Sequence, residues 1–255
     1  MLLAGNDAAG KVTPVDRIQK VLAHAGVSSR RAIEAMILEG RVEGNGELVT
    51  KLPCFVDTGN DDVRVDGRSI RLGAGGQARR YFLVNKPRGV VCTQRDPDGR
   101  PRAIDLLPPT RERLYCVGRL DVEDTGLVIL TNDGDLTQRL THPSHEVVKT
   151  YVAEVAGSIA QDAIDKIKNG VRIEGMRTNV AGVKVMSRGP AQSIIEIRLA
   201  EGRNREVRRI LAKIGHKVRR VRRTAIGPVT DKGLKIGGFR ALTKDEVALL
   251  RRIGR

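Results

Sequence analysis

One acidic residue, Asp121, stands out because glycines lie on both sides of it and an apolar run follows. The stretch reads Val117-Gly118-Arg119-Leu120-Asp121, and Gly126 precedes the run Leu127-Val128-Ile129-Leu130. This pattern predicts a strand, a turn that carries the acid, and a second strand, which together present one carboxylate on a rigid support. An aspartate in a glycine-flanked turn is most often a structural turn residue. The stretch alone therefore leaves a structural and a catalytic role open.

The charge of the chain indicates its class of partner. Its 255 residues include 46 Lys and Arg against 30 Asp and Glu, a formal net charge of +16. Such a field attracts polyanions, of which nucleic acid is the commonest inside cells and an anionic membrane is the alternative. No apolar run approaches the roughly 20 residues of a membrane-spanning helix, and residues 1–13 lack the regions of a secretory leader. We therefore expect a cytoplasmic protein that binds nucleic acid and not a membrane.

Residues for metal binding, disulfides and base stacking are scarce. The cysteines Cys54, Cys92 and Cys116 fit neither a disulfide framework nor a zinc site. His142 and His145 have no matching carboxylate or cysteine pattern, so we predict no metal site. Any stacking on an RNA base must use one of the few aromatic side chains, which are Tyr81, Tyr115, Tyr151, Phe55, Phe82 and Phe239.

The elements that position these residues begin with a compact module predicted over residues 14–72, after a disordered tail at 1–13. Apolar residues recur at helical spacing from Ile18 to Ala25 and predict a first helix. Ser28 or Ser29 is expected to cap a second helix. Short β signals follow at residues 41–42, 47–49 and 62–67.

Two arginines, Arg30 and Arg31, lie in the first turn of that second helix. The helix dipole disfavours cations at this position, so the pair indicates a contact with phosphate. The module resembles the S-four-type RNA-binding domain, which is named after a small-subunit ribosomal protein, and the resemblance implies that it grips structured RNA. The residues that carry it are RIQKVLAHAGVSSRR at 17–31, EGRV at 39–42 and VRVDG at 63–67.

A glycine-rich linker is predicted at residues 73–79, followed by a second domain over 80–255. Strand and helix patterns alternate through this domain in an order that indicates an α+β fold, with a largely antiparallel mixed sheet flanked by helices. We predict a strand, turn and strand at 81–92 and further strands at 149–155 and 193–199. Helices are predicted after Asp133, from a Ser158–Gln161 capping box towards Gly170, at 205–214, and after a Thr243–Glu246 capping box.

Several ordered motifs accompany the Asp121 stretch. Together they resemble the signature of the rRNA pseudouridine synthases of the RsuA-like family, most closely its large-subunit branch, over about residues 15–245. The motifs are Asn85-Lys86-Pro87-Arg88-Gly89, Gly118-Arg119-Leu120-Asp121, Gly126-Leu127, Leu130-Thr131-Asn132-Asp133-Gly134, His142-Pro143, Lys149-Thr150-Tyr151 and EGRNREVRR at 201–209.

The resemblance implies the isomerisation of a uridine in large-subunit rRNA to pseudouridine. The bond from ribose to nitrogen breaks, the base turns, and a carbon–carbon bond forms, which requires no redox cofactor and no metal. The base must leave its stack, and the resemblance assigns the catalytic carboxylate to Asp121. Tyr151 matches the family tyrosine that stacks on the base, and Arg208 matches the basic partner of the aspartate. The structural alternatives are a core position for Tyr151 and a solvated helix face for Arg208.

Basic residues predict the path of the RNA. Residues 198–223 carry many more basic than acidic side chains, a density that a phosphate track explains better than solubility does. We expect the protein to act on ribosomal RNA as a monomer. The predicted RNA contacts are Arg30, Arg31, Lys86, Arg119, Lys149, Arg203 and Arg205.

Two residues depart from the family pattern. Asp124 stands where the family usually has Thr or Ser, and it adds a negative charge near Asp121 that a cation would have to compensate. Glu206 stands where Gln is usual, and it could pair with Arg203 or Arg209 or have no functional partner.

Other functions remain open at this stage. A synthase that acts on small-subunit rRNA, or a non-catalytic ribosome-assembly factor of the same fold, would carry many of the same motifs. The presence of Asp121, Tyr151 and Arg208 argues against the non-catalytic factor. A basic protein of the membrane surface is the third alternative, and the lack of a strongly amphipathic basic anchor argues against it.

Overall fold

The computed structural model of the protein describes residues 15–72 and 78–253. The chain divides into two compact units, with the boundary between Arg79 and Arg80. The tail predicted at 1–13 and most of the linker predicted at 73–79 lie outside the described residues. Among the residues described, none of the helices has the length and apolar character needed to cross a bilayer.

The first unit packs two helices on short strands. Ser29 caps the second helix, because its side chain accepts a hydrogen bond from the Ala32 N–H at 3.1 Å. Ile18, Leu22, Ile33 and Ile37 point from the helices into the core, as their spacing predicts. The elements are β1 (Val15–Arg17), α1 (Ile18–His24), α2 (Arg30–Leu38), β2 (Val42–Gly44), β3 (Glu47–Leu48), β4 (Phe55–Asp57), β5 (Val63–Val65) and β6 (Arg68–Ser69). Strands β3-β2-β5-β6 form one sheet, and β1 pairs with β4.

The second unit is built on a nine-stranded sheet. The strands of the whole unit, nine of which form this sheet, are β7 (Tyr81–Lys86), β8 (Tyr115–Val117), β9 (Thr125–Thr131), β10 (Lys149–Ala156), β11 (Arg172–Ile173), β12 (Met176–Arg177), β13 (Val180–Arg188), β14 (Gln192–Leu199), β15 (Val218–Ile226), β16 (Val229–Thr230) and β17 (Phe239–Ala241). Its α-helices are α3 (Gly134–Thr141), α4 (Gln161–Lys168), α5 (Glu206–Lys213) and α6 (Lys244–Arg252), and 3-10 turns occupy Ala103–Leu106 and Pro143–His145.

The order of the sheet is β13-β14-β10-β15-β9-β7-β17, with β8 beside β9 and β16 beside β15, while β11 and β12 form a separate ribbon. Neighbours in the sheet run antiparallel except for β15 and β9, which run parallel. The prediction of an α+β fold on a largely antiparallel mixed sheet is confirmed.

Helices cover both faces of this sheet. On β9, Val128 packs in the core formed with α4 and α5, whereas Leu127 and Ile129 pack in the core formed with α3 and α6. This division follows from the alternation of side chains along a strand. Because both faces are buried, β9 is a continuous apolar run, as its sequence indicates.

Three predicted elements differ from the structure. The second strand expected before Cys92 is reduced to a single bridge between Val91 and Arg102. The capping box of Ser158 and Gln161 is wrong, since Ala160 is the N-cap of α4 and no side chain caps that helix. Helix α5 begins at Glu206, one residue later than predicted.

The sequence patterns predict no strand over the residues of β15, which lies between β10 and β9 in the sheet. Arginines occupy four of its nine positions, at 219, 220, 222 and 223, so its apolar residues do not alternate simply. Val221 and Arg223 are both buried. Because Arg223 occupies a position where an apolar residue is expected, the strand lacks the alternation of apolar and polar residues on which strand prediction depends.

Candidate active site

Asp121 lies in the turn between β8 and β9, as the sequence predicts. Gly118 opens the turn with a φ of +72°, a conformation that glycine adopts without steric cost. The Asp124 N–H donates to the Asp121 carbonyl oxygen at 3.1 Å and closes the turn. The side chain of Asp121 is 24% exposed, so its carboxylate is accessible from one side.

A cavity of about 110 Å³ opens beside this carboxylate. It brings together segments that are far apart in sequence: the Asp121 turn, the start of β10, the end of β14 and the first turn of α5. Seven of the ten predicted site residues line it, namely Arg119, Asp121, Lys149, Tyr151, Arg203, Arg205 and Arg208.

Tyr151 forms part of the cavity wall and part of the core. It lies on β10 between Ile197 of β14 and Arg223 of β15. Only 8% of the residue is exposed, and it belongs to the core under α4 and α5. The core position and a face towards the cavity are therefore compatible, and a largely buried tyrosine on a central strand is a rigid surface for stacking.

The arginines of α5 pair with the acids of the turn in an arrangement that differs from expectation. Arg208 donates through Nε to Asp124 Oδ1 at 3.0 Å and through Nη2 to the same oxygen. The family resemblance places Arg208 beside Asp121, but in this structure its guanidinium binds Asp124 instead. The physical reason is the carboxylate of Asp124, which is itself buried and attracts the guanidinium next to it.

Arg205 is the cation that reaches Asp121. Its Nη1 lies 3.4 Å from Asp121 Oδ2 and also pairs with Glu123. Burial raises the pKa of Asp124, an effect that Arg208 opposes and that the charges of Asp121 and Glu123 reinforce. Although burial acts the other way, Arg205 and Arg208 hold the pKa of Glu123 below its ordinary value.

Glu206, the second departure from the family pattern, faces the chain that leads into α5. Its Oε2 accepts a hydrogen bond from the backbone N–H of Arg203 at 3.1 Å. The side chain of Arg203 pairs instead with Glu201, and that of Arg209 with Glu174. Neither predicted ion pair of Glu206 forms, and burial raises its pKa.

Lys86 does not fit its predicted role as an RNA contact. The residue is fully buried, and its Nζ donates to the carbonyl oxygens of Val90 at 2.8 Å and Pro87 at 3.1 Å. It therefore binds the turn that follows β7 from inside. Burial lowers the pKa of its amine.

The other predicted RNA contacts occupy different environments. Lys149 lines the cavity, and burial together with the charge of Arg223 lowers its pKa to about 8. Arg119 is exposed at the edge of the cavity. Arg30 and Arg31 are exposed in the first turn of α2, in the first unit.

One residue of the cavity wall, Arg223, was missed. It is 4% exposed, and its Nε donates to the Leu127 carbonyl at 2.7 Å while Nη1 lies 3.5 Å from the Arg119 carbonyl. These two carbonyls lie on either side of the Asp121 turn, so one guanidinium holds both ends of it. No signal in the sequence separates Arg223 from the neighbouring basic residues.

Comparisons with known proteins were made for the whole chain. The family model described as RNA pseudouridylate synthase matches residues 80–213, and the model described as S4 domain matches residues 16–61. The chain is 41% identical to ribosomal large subunit pseudouridine synthase B of Bacillus subtilis, over 93% of this chain and 96% of the relative. It is 42% identical to an RNA pseudouridine synthase of Mycobacterium tuberculosis, over 92% of both chains.

A solved crystal structure of a pseudouridylate synthase has the same fold. Its TM-score is 0.64 at 29% sequence identity, and the match covers 92% of this chain and 99% of the other. The similarity therefore includes both units and not the second unit alone.

Proposed function

The chain belongs to the RNA pseudouridylate synthase family, and from this premise we propose that it isomerises a uridine of large-subunit ribosomal RNA to pseudouridine, with Asp121 as the catalytic carboxylate. Membership of the family makes the protein an isomerase that acts on RNA. The names of the relatives from Bacillus subtilis and Pseudomonas aeruginosa support the large subunit as the target. The observation that carries the catalytic assignment is the cavity that Asp121 and Tyr151 share.

The reaction conserves all atoms of the nucleotide. The bond between ribose C1′ and uracil N1 breaks, the base turns, and C1′ bonds to C5, while a proton leaves C5 and another binds N1. A uridine must first leave its stack to enter a cavity of this kind. There the carboxylate of Asp121 lies beside the ribose and the base, and the ring of Tyr151 supports the base from β10.

The RNA backbone is held by the two units through different residues. In the first unit, which contains the S4 domain, exposed Arg30 and Arg31 contact phosphates. Around the cavity, Arg119, Lys149 and Arg203 do so. The proposal includes action as a monomer in the cytoplasm, where ribosomes are assembled, and domains at residues 14–72 and 80–255.

Mapping of pseudouridine in rRNA tests this function. Cells that lack the protein are complemented with the wild type, with Asp121→Asn, or with Asp162→Asn, a control that removes the carboxylate of an exposed aspartate on α4. We expect one large-subunit position to be modified by the wild type and the control and unmodified with Asp121→Asn.

The other outcomes are equally informative. Modification that persists with Asp121→Asn contradicts the catalytic assignment. A missing pseudouridine in small-subunit rRNA corrects the target. If no position depends on the protein, a non-catalytic assembly factor is the better description.

A further inference from the structure

We propose that Arg205, and not Arg208, is the positioning residue of Asp121 in this chain, because Asp124 holds Arg208. The proposal rests on the proposed function for its kinetic consequences, but the pairing itself is independent of it. The sequence predicts only that Arg205 contacts phosphate of the RNA. The proposal adds a second role, in which Arg205 orients the carboxylate of Asp121.

The first step concerns Arg208 and Asp124. Their side chains are only 12% and 8% exposed, and two nitrogens of the guanidinium donate to one carboxylate oxygen. If Arg208 turned towards Asp121, Asp124 would remain as an unpaired buried charge. Breaking a buried pair by removing one partner is strongly unfavourable, so Arg208 stays with Asp124.

The second step concerns Arg205 and Asp121. Arg205 is the N-cap of α5 and has a φ of +52°, a left-handed conformation that is uncommon for a residue with a Cβ. This backbone conformation carries the side chain back over the Asp121 turn. There Nη1 contacts both Asp121 and Glu123, so one guanidinium links the catalytic carboxylate to a second acid that keeps it in place.

The third step is the balance of charge. The turn presents three acids, Asp121, Glu123 and Asp124, and α5 presents two arginines that pair with them. A Thr at position 124, as the family usually has, would leave Arg208 without its buried partner. The replacement by Asp124 therefore explains why a neighbouring arginine, one turn earlier, pairs with Asp121.

Kinetics distinguish orientation of Asp121 from a contact with phosphate. We expect Arg205→Gln to lower kcat at saturating rRNA fragment by about 100-fold, the effect of a misplaced catalytic group, and Arg205→Lys to restore part of it. Arg209→Gln is the matched control, since it removes the same charge from α5 but pairs with exposed Glu174. A variant in which only KM and its salt dependence change would overturn the proposal.

A double-mutant cycle tests the part that Asp124 plays. In the Asp124→Thr background, Arg208 is free to approach Asp121, so Arg205→Gln should then cost less than about tenfold in kcat, a non-additivity expected for groups in one network. An undiminished loss in that background would show that Asp124 does not determine the partner of Asp121, and the proposal would fail.

Arginine side-chain NMR on the unbound, full-length protein provides a test that needs no activity. Asp124→Asn should move the Nε–H signal of Arg208, whereas Asp121→Asn should move the signals of Arg205 and leave Arg208 unchanged. If Asp121→Asn instead moves Arg208, the pairing is wrong. An inactive wild type with the expected NMR shifts would contradict the proposed function and leave the pairing supported.

Discussion

Gly126 of β9 lies directly opposite Arg223 of β15, where the two strands run parallel. Gly126 has a φ of +114°, and a Cβ placed on it would lie 2.3 Å from the carbonyl oxygen of Arg223. That distance is far below van der Waals contact, and the atom in the way belongs to the backbone, which cannot move aside as a flexible side chain could. The glycine after the Asp121 turn is thus required by the approach of β15, and it fixes where the turn lies relative to Arg223.

Gly126→Ala should therefore lower the free energy of unfolding by about 3 kcal/mol, which combines an unfavourable φ with a clash against backbone. Urea denaturation followed by circular dichroism measures the change. Gly157→Ala is the matched control, because Gly157 also has a positive φ but open space where the Cβ would lie. That control should cost about 1 kcal/mol. Equal losses for the two variants would show that the approach of β15 is not what requires the glycine.

Arg223→Met should reduce both stability and kcat. The variant leaves the Leu127 and Arg119 carbonyls without the donors that Arg223 supplies, and we expect a loss of about 3 kcal/mol in the free energy of unfolding. The Asp121 turn loses its support at both ends, so kcat should fall in the protein that remains folded if Asp121 is the catalytic carboxylate as proposed. Arg220→Met is the control, since its side chain is 85% exposed on the same strand. Unchanged kcat with Arg223→Met would contradict the supporting role.

The parts of the site that the sequence predicts are those that depend on local chemistry. The Asp121 turn follows from its glycines and the apolar run. The helix predicted after Asp133 is α3, and the Asp133 side chain caps it by accepting a hydrogen bond from the Leu136 N–H at 3.1 Å. These features require only a few consecutive residues. Their outcome is therefore nearly independent of the rest of the fold.

The parts that the sequence does not predict depend on pairing across the fold. Arg205 and Arg208 are the same type of residue three positions apart, and the buried carboxylate of Asp124, which binds Arg208, leaves Arg205 as the partner of Asp121. The burial of Lys86 and Arg223 is likewise set by strands that lie next to them in space. Side-chain type alone does not distinguish such buried cations from solvated ones, because long basic side chains occur in both settings.

Lys149 should make RNA affinity sensitive to pH in a range where most lysines are fully charged. Its pKa is lowered to about 8 by burial and by Arg223, with Glu206 acting in the opposite direction. The amine is therefore charged below about pH 8 and loses its attraction for phosphate as the pH rises through that value. Wild-type affinity for an rRNA fragment should fall between pH 7 and pH 9, and Lys149→Arg, which stays charged, should show a smaller decrease. The same decrease in both proteins would remove Lys149 from the RNA contacts.

Two predicted RNA contacts, Arg30 and Arg31, are distinguished from Lys86 by the salt dependence of binding. The arginines are exposed in the first turn of α2, whereas Lys86 is bonded to carbonyls inside the second unit. Each phosphate contact that is lost should reduce the slope of log affinity against log salt by about 1. We therefore expect a smaller slope for Arg30→Gln and for Arg31→Gln, and an unchanged slope for Lys86→Met.

Filter binding of an rRNA fragment at several salt concentrations measures all three slopes. Arg64→Gln provides the control in the first unit, since that exposed arginine pairs with Asp62 and carries no predicted role in RNA binding. If Arg30→Gln and Arg31→Gln leave the slope at the wild-type value, the two arginines do not contact phosphate, and RNA binding does not explain their place at a helix N-terminus. A reduced slope for Lys86→Met would mean that its amine reaches the RNA after all, which the two buried hydrogen bonds argue against because it would have to break both.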